Sequence, residues 1–343
     1  MNIKRGLESK ISKFLQRQGI IFRTGSTQVG ETTPLRQKHQ GPHKIDSCIN
    51  PDVELKKTLL RKPSWLKVRP PYSNQCSSIR STLKNLKLHT VCQEAACPNM
   101  AECFSSGTAT FLILGNICTR NCLYCNVEYG KPAAVDENEI THLVTAVRKI
   151  KLKYVVITSV TRDDLPDGGA QVFADCVSEL RREEPDCKIE VLIPDFQGSN
   201  AALERVIDAK PDIINHNMEV VKPLFTQLRP QGNYDVSLKL LRQITASSIV
   251  SKSGFMVGFG EERDDILRLI DDLTKVSCER LTIGQYQQPT LKHWPVAKYY
   301  HPDEFAAFKE VAYQKGFKHV ESGPLVRSSY HAAKAEEKSL ISR

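Results

Sequence analysis

The chain has 343 residues, 11 of them cysteine, and a formal net charge of +9. This length can bury the core of one large α/β barrel with extensions, and the most apolar stretch, residues 109–114, is far shorter than the roughly 20 residues that span a membrane. An odd number of cysteines without a secretory signal argues against a disulfide framework and favours a soluble protein in a reducing compartment, where thiols bind metals.

Residues 1–60 form a basic segment at the start of the chain. Residues 1–62 hold 13 Lys/Arg against 5 Asp/Glu, which is nearly all of the net charge. Basic tails can bind nucleic acid or membranes, but no nucleic-acid motif follows this one. We therefore predict a flexible extension with neither partner. We expect a cytoplasmic protein, with a mitochondrial or plastid address as the alternative because acidic residues are scarce in this segment.

Two cysteine triplets follow, separated by 14 residues. The first, Cys92, Cys97 and Cys103, has the spacing CxxxxCxxxxxC. Taken alone, this spacing is only moderately specific. It is compatible with a zinc ion that has a distant fourth ligand, or with no metal at all.

The second triplet, Cys118, Cys122 and Cys125, has the spacing CxxxCxxC, and no further cysteine occurs within the next 50 residues. A four-iron cluster is usually held by four thiolates, so three thiolates leave one iron open. Structural zinc would require four closed ligands. The arrangement resembles that of the radical S-adenosylmethionine (SAM) enzymes, in which the open iron takes the amino and carboxylate groups of SAM. We therefore predict that this triplet holds a 4Fe–4S cluster that binds SAM.

From residue 108 onward, short apolar strands alternate with amphipathic helices, a pattern typical of a parallel sheet with crossover helices. The predicted strands are 108–115, 154–160, 188–194, 213–218, 253–259 and 280–286. The predicted helices lie near 137–151, 170–184, 200–209, 235–246, 263–275 and 303–315. Six such units predict an α/β fold, a partial (β/α)6 barrel of the TIM type, over residues 108–320.

Polar side chains at the ends of these strands are candidates for the active site, because barrel active sites lie at the carboxyl ends of the strands. Each is also a common cap or turn residue. We predict SAM contacts from Ser159, Asn215, Asn217 and Glu219. Other residues expected around the same cavity are Thr158, Arg162, Asp163 and Asp195. The glycine-rich strings at 167–169 and 257–262 lack phosphate-loop spacing and are interpreted as turns.

The string Arg-Ser-Ser-Tyr occurs at 327–330, near the other end of the chain. Together with the two triplets, it makes the sequence resemble the lipoyl synthases over about residues 60–335. The resemblance implies an auxiliary 4Fe–4S cluster on Cys92, Cys97 and Cys103, with Ser329 or its neighbour Ser328 as the fourth ligand. Residues 61–107 are then the auxiliary-cluster segment, and residues 321–343 are a C-terminal segment that carries the serine.

The same resemblance implies a sulfurtransferase that uses SAM and two 4Fe–4S clusters to place sulfur at C6 and C8 of an octanoyl chain on a carrier-protein lysine. The implied partners are lipoyl domains of 2-oxoacid dehydrogenases, the glycine cleavage H protein, an electron donor such as ferredoxin or flavodoxin, and a cluster-repair protein. Two alternatives stay open. One is another radical SAM enzyme with an auxiliary cluster, such as a methylthiotransferase or a maturase, and the other is a non-catalytic zinc module.

Overall fold

The structure, a computed structural model, describes residues 60–67, 74–94, 97, 99–105, 109–330 and 332. These residues belong to one compact unit, 55–343. The extension predicted over 1–60 lies outside the described residues except for Leu60. No helix in the described part of the chain is long and apolar enough to cross a membrane.

The core of the molecule is an eight-stranded sheet in the order β1-β2-β5-β6-β7-β8-β9-β10. Its strands are β1 (His89–Thr90), β2 (Thr110–Ile113), β5 (Tyr154–Ser159), β6 (Lys188–Leu192), β7 (Ile213–Asn215), β8 (Val250–Val257), β9 (Arg280–Gln285) and β10 (His319–Gly323). β1 runs antiparallel to β2, and every other neighbouring pair is parallel. Because β1 and β10 are edges, the barrel is not closed. A separate two-stranded ribbon pairs β3 (Ile117–Cys118) with β4 (Glu128–Tyr129).

Ten α-helices accompany the strands in the described part of the chain. They are α1 (Asn74–Asn85), α2 (Val91–Glu94), α3 (Met100–Ser105), α4 (Glu139–Ile150), α5 (Ala170–Glu183), α6 (Asn200–Asp208), α7 (Lys222–Leu228), α8 (Tyr234–Ala246), α9 (Arg263–Lys275) and α10 (Pro302–Gln314). The six predicted βα units are all present, so the partial barrel is confirmed. A seventh parallel strand, β10, the helix α1 and the short helices α2, α3 and α7 were not predicted.

The helices pack against one face of the sheet because their apolar residues recur at helical spacing. In α9, Ile266, Leu269, Ile270 and Leu273 are all buried, which places them on one stripe of the helix. Burying each such side chain stabilises the fold by about 1.5–3 kcal/mol. This layer fixes the strands, and thereby the positions of the loops that follow them.

The opposite face of the sheet, which lines the barrel interior, carries polar groups. Alternate residues of a strand point to opposite faces, so Glu190 faces inward while its neighbours in β6 face the helices. Its carboxylate lies 2.8 Å from the Lys252 ammonium and accepts a hydrogen bond from the Tyr154 hydroxyl at 2.5 Å. Ala332 packs beside Tyr154 in a small apolar cluster with Val156 and Ile213. The end of the described chain therefore fills part of the barrel interior.

Candidate functional site

The second cysteine triplet lies on the loop that follows β2. The chain leaves β2 through Leu114 and Gly115, whose φ angles are 67° and 89°, a conformation that glycine adopts without steric cost. The Leu114 N–H donates to the Glu139 carboxylate at 2.8 Å, and its carbonyl accepts from Arg162 at 3.2 Å. Arg162 was expected to line the active-site cavity, but it holds this turn instead. The turn delivers Cys118 to the carboxyl edge of the sheet.

The thiols of this triplet are free, and all three residues are half-buried. The Cys118 sulfur accepts backbone N–H groups from Arg120 at 3.4 Å and Thr161 at 3.3 Å. Burial raises the pKa of Cys125 to about 12 and also raises the pKa of Cys122. Because metal ligands must lose their protons, these thiols stay protonated until iron binds. No three His, Cys, Asp or Glu side chains in the described ranges form a site for a single metal ion.

Buried charged and aromatic groups surround the cluster loop. The Tyr124 ring meets Phe259 edge to face, with centroids 6.0 Å apart. Arg229 donates to the Asn217 carbonyl at 3.2 Å, and the Asn217 amide donates to the Glu219 carboxylate at 3.0 Å. Burial raises the pKa of Glu219, while the positive charge of Arg229 opposes that rise. The loop thus faces a buried cation, Arg229, and a half-buried carboxyl group, Glu219.

The four residues predicted to contact SAM are at the carboxyl ends of β5 and β7. Three of their oxygens, Ser159 Oγ, Asn215 Oδ1 and Asn217 Oδ1, are buried without a hydrogen-bond partner among the described residues. Buried polar atoms normally have partners, so these oxygens fit a polar ligand. Asn215 lies deepest, because its amide donates to Glu190 at 3.2 Å.

Glu219 sits in a strained conformation beside these atoms, with a φ of 67°. Its N–H donates to the Gly254 carbonyl at 3.0 Å, and its carbonyl accepts the Met256 N–H at 2.8 Å. Gly254 leaves no room for a side chain, because a Cβ there would lie 2.2 Å from Thr282 Oγ1 and 3.0 Å from Asn217 Oδ1. Strain of this kind is typical of functional sites, and the glycine keeps the interior open next to Asn217.

The first triplet shares a cavity with the Arg-Ser-Ser-Tyr string, as the sequence predicted. The cavity has a volume of about 120 Å³. Its lining includes Cys92, Cys97, Cys103, Asn99, Thr110, Leu192, Arg327, Ser328, Ser329 and Tyr330. We refer to it as the auxiliary cavity. Three thiols and two serine hydroxyls therefore border a single space, which fits a cluster with three sulfur ligands and one oxygen ligand.

Two long-range contacts close the auxiliary cavity. The Asn99 amide donates to the Leu325 carbonyl at 2.5 Å, and the Tyr330 hydroxyl lies 3.2 Å from the Glu102 carboxylate. Burial raises the pKa of both Cys92 and Cys103 to about 12. These thiols also need a metal to hold them as thiolates.

Arg327 stands between the two sites and was not among the predicted site residues. It lines the auxiliary cavity, and it interacts electrostatically with both Cys97 and Glu219, which oppose the lowering of its pKa by burial. Gly284 leaves space for this segment, because a Cβ there would lie 2.2 Å from the Val326 carbonyl oxygen. Arg327 therefore lines the auxiliary cavity and also interacts with Glu219, beside the predicted SAM contacts.

A connecting segment between β9 and α10, which we call the strap (residues 286–299), packs on the cluster loop. His293 Nε2 lies 2.9 Å from the Cys125 carbonyl, and the Trp294 N–H donates to the Leu123 carbonyl at 2.9 Å. Gln285 anchors the far end of the strap by donating to the Lys298 carbonyl at 3.0 Å. Its one signal at the level of sequence is a histidine and a tryptophan side by side in a proline-containing segment.

Asp163 and Asp195 were expected to line the SAM cavity. Both carboxylates bind Arg120 of the cluster loop, and together with Arg120 they line a cavity of about 400 Å³. Thr158 donates its hydroxyl to the Leu192 carbonyl at 2.8 Å. In the string at 257–262, the Glu261 carboxylate accepts the N–H groups of Gly258 and Phe259 at 2.6 and 2.8 Å. This string is therefore a turn, as predicted.

Family models match two parts of the chain. Residues 112–273 match the radical SAM superfamily, and residues 38–97 match the N-terminal domain of lipoyl synthase of the radical SAM family. Among solved structures, Streptococcus suis SuiB bound to S-adenosylmethionine has a TM-score of 0.50 at 11% identity, covering 65% of this chain and 54% of that one. At this identity, the likeness concerns the fold alone.

Whole-chain relatives are much closer in sequence. A lipoyl synthase from Roseiflexus sp. (strain RS-1) is 50% identical over 274 residues, which cover 79% of this chain and 91% of that protein. A lipoyl synthase from Hahella chejuensis (strain KCTC 2396) is 51% identical over 277 residues, which cover 80% of this chain and 83% of that protein.

Proposed function

Because the chain belongs to the lipoyl synthases of the radical SAM superfamily, we propose that its two cysteine triplets hold two clusters with separate tasks. The enzyme inserts two sulfur atoms, at C6 and C8, into an octanoyl chain carried on a protein lysine. When bound, the reduced cluster on the second triplet and SAM would supply the 5′-deoxyadenosyl radicals that remove hydrogen, and the auxiliary cluster would supply the sulfur. The observation that carries the residue assignment is the auxiliary cavity, where Cys92, Cys97 and Cys103 meet Ser328 and Ser329.

The residues of the chain orient and shield these groups. Cys118, Cys122 and Cys125 would hold the first cluster with one iron open, beside the unpartnered oxygens of Ser159 and Asn217. Glu219 and Asn217, joined at 3.0 Å, are placed to bind the polar part of SAM together with Asn215. The strap covers the cluster loop through His293 and Trp294, which limits the access of water to a reactive radical.

Ser329 is the proposed fourth ligand of the auxiliary cluster. Cysteine thiolates are the usual cluster ligands, so a serine oxygen is the ligand expected to leave first when the cluster is dismantled. Ser328 borders the same cavity and is the alternative. The hydrogen bond between Tyr330 and Glu102, at 3.2 Å, positions this segment against α3.

The substrate partner is a lipoyl carrier protein. We propose that it is a lipoyl domain of a 2-oxoacid dehydrogenase or the glycine cleavage H protein. We also propose ferredoxin or flavodoxin as the electron donor, and a separate protein for cluster repair. The proposed location is the cytoplasm, with a mitochondrial or plastid address as the alternative, and fractionation of cells that express the full chain tests it.

The test is an anaerobic reaction of reconstituted protein with an octanoylated carrier domain, SAM and dithionite, followed by mass spectrometry of the carrier. We expect a gain of two sulfur atoms, and about eight irons per chain before the reaction, as two four-iron clusters require. A protein with about four irons, or a carrier that gains a methylthio group, would contradict the proposal.

A further inference from the structure

Arg120, which lies between Cys118 and Cys122 in the cluster loop, is almost fully buried and paired with two carboxylates. Its Nε and Nη2 donate to Asp163 at 2.6 and 2.9 Å. Its Nη1 and Nη2 donate to Asp195, both at 2.7 Å. Asp163 follows β5 and Asp195 follows β6, so one side chain ties the cluster loop to two strand ends.

The pairing uses nearly all of the hydrogen-bonding capacity of Arg120. A guanidinium has five N–H donors in a fixed fork, and four hydrogen bonds leave little for a ligand. The side chains of Arg120 and Asp195 are 5% and 3% exposed, so solvent screens their interaction weakly. Burial alone would raise the pKa of Asp195, but Arg120 outweighs it and holds the pKa at about 2. The guanidinium is therefore a structural clamp rather than a SAM ligand.

Further hydrogen bonds tie both aspartates to their surroundings, Asp163 through its backbone and Asp195 through its carboxylate. The Asp163 N–H donates to Thr119 Oγ1 at 3.0 Å, and Thr119 Oγ1 donates to the Thr161 carbonyl at 2.9 Å. The Gln197 N–H donates to Asp195 Oδ1 at 3.0 Å. Arg120 therefore acts together with these hydrogen bonds to hold the cluster loop against the segments that follow β5 and β6.

The clamp sets the surroundings of one cluster ligand. Cys118 Sγ accepts the N–H groups of Arg120 and Thr161, and these groups come from the two segments that Arg120 joins. Hydrogen bonds to the ligand sulfurs help to set the reduction potential of iron–sulfur clusters, because they stabilise the added negative charge of the reduced form. With a cluster bound, the two N–H groups on Cys118 would act in this way.

We propose that Arg120 is a positioning residue that raises the reduction potential of the SAM cluster. By binding Asp163 and Asp195, it keeps two backbone N–H groups on the Cys118 sulfur. This inference rests on the proposed assignment of Cys118, Cys122 and Cys125 to that cluster. It concerns electron entry into the cluster and does not depend on the identity of the carrier protein.

The experiment is a redox titration of the reconstituted holoenzyme, followed by electron paramagnetic resonance. The SAM-cluster signal is identified as the one that changes when SAM is added. For Arg120→Met we expect at least a tenfold fall in the reduced-to-oxidised ratio at a fixed potential, equivalent to about 59 mV for one electron. Arg120→Lys keeps the positive charge but loses the guanidinium that bonds both carboxylates at once. We therefore expect a smaller shift of the reduction potential in the same direction.

Arg148 provides the matched control, because it also pairs with two carboxylates, Glu183 and Glu184, but is 56% exposed. Arg148→Met should leave the potential unchanged. If Arg120→Met does not fold, Asp163→Asn provides the second variant, because it removes only half of the clamp and should give a partial shift. An unchanged potential in a variant with full iron content, whether Arg120→Met or Asp163→Asn, would overturn the inference. A wild-type protein without a SAM-responsive signal would instead overturn the proposed function.

Discussion

Ser328 and Ser329 border the same cavity, yet the proposed mechanism requires only one oxygen ligand. We expect Ser329→Ala to lower sulfur insertion by at least about tenfold, the scale of effects on metal sites, while SAM cleavage persists because the first triplet is intact. Ser328→Ala is the matched control and should retain most of the activity. Lipoyl product and 5′-deoxyadenosine are measured in the same reaction. An equal loss in both variants would show that the serines act through the packing of the segment.

His216 makes the folded protein sensitive to acid. Its Nδ1 donates to the Ile193 carbonyl, which can only accept, so Nε2 accepts from the Ser237 hydroxyl, each at 2.9 Å. Burial lowers its pKa from 6.5 to about 4. Between these values the unfolded chain binds a proton that the folded chain does not, so stability falls as the pH falls.

We therefore expect the unfolding free energy of the metal-free protein to fall by about 3 kcal/mol, because of His216, as the pH falls from about 6.5 to 4. His216→Gln, which keeps one donor and one acceptor, should make this pH dependence shallower. Urea denaturation at a series of pH values measures the effect. Identical slopes for the variant and the wild type would contradict it.

At the scale of single residues, the sequence singled out the candidate cluster ligands because cysteine spacing is a local property. It did not identify the clamp, because Arg120 reaches Asp163 across 43 positions and Asp195 across 75. It also did not show that Arg162 would bond to the turn after β2. Residues at a strand end alternate between the two faces of the sheet. The sequence position of the strand end does not determine the face to which each side chain points.

At the scale of elements, Gly284 in β9 and Gly323 in β10 are paired neighbours with different surroundings. A Cβ at Gly284 would lie 2.2 Å from the Val326 carbonyl oxygen, whereas a Cβ at Gly323 would make an ordinary 3.4 Å contact with the Val326 side chain. We expect Gly284→Ala to destabilise the fold by about 1–3 kcal/mol, as overpacking does, and Gly323→Ala to cost less.

The same substitution should displace the segment that carries Ser329, so we expect reconstituted Gly284→Ala to hold closer to four irons than eight. Urea denaturation and iron analysis of the two variants test this. Eight irons and unchanged stability in Gly284→Ala would contradict the close approach of Val326 to β9.

Elements with continuous apolar or helical periodicity were predicted closely, as in α9, whose bounds match at 263–275. β10 was missed because only Val320 of its five residues is fully buried. The start of β8 was placed at 253 rather than 250, because Lys252 reads as a surface residue. It faces the interior and pairs there with Glu190, a contact that local sequence does not reveal.

At the scale of the whole molecule, the pair formed by Lys252 and Glu190 ties β8 to β6 inside the barrel. Lys252→Met leaves a buried carboxylate without its cation and should cost about 3–5 kcal/mol. Adding Glu190→Gln should restore much of the loss, because the neutral side chain still bonds to Tyr154. Anaerobic urea denaturation of the three variants gives the coupling free energy.

Lys222→Met is the control for this cycle, because Lys222 pairs with Asp235 on the surface, where the side chains are 59% and 74% exposed. Its cost should stay below about 1 kcal/mol. If the double variant loses as much unfolding free energy as the two single variants lose together, the buried pair is not coupled and the prediction is wrong.

The auxiliary cavity is closed by Asn99 and Leu325, which are 226 positions apart. A ribosome that adds about 5–20 residues per second needs roughly 11–45 s to cover that distance. For that interval the nascent chain carries Cys92, Cys97 and Cys103 without the proposed serine ligand, whereas the proposed ligands of the SAM cluster emerge within eight residues of one another. Because the proposed serine ligand is synthesised so late, the auxiliary-cluster site can be completed only after the SAM-cluster site.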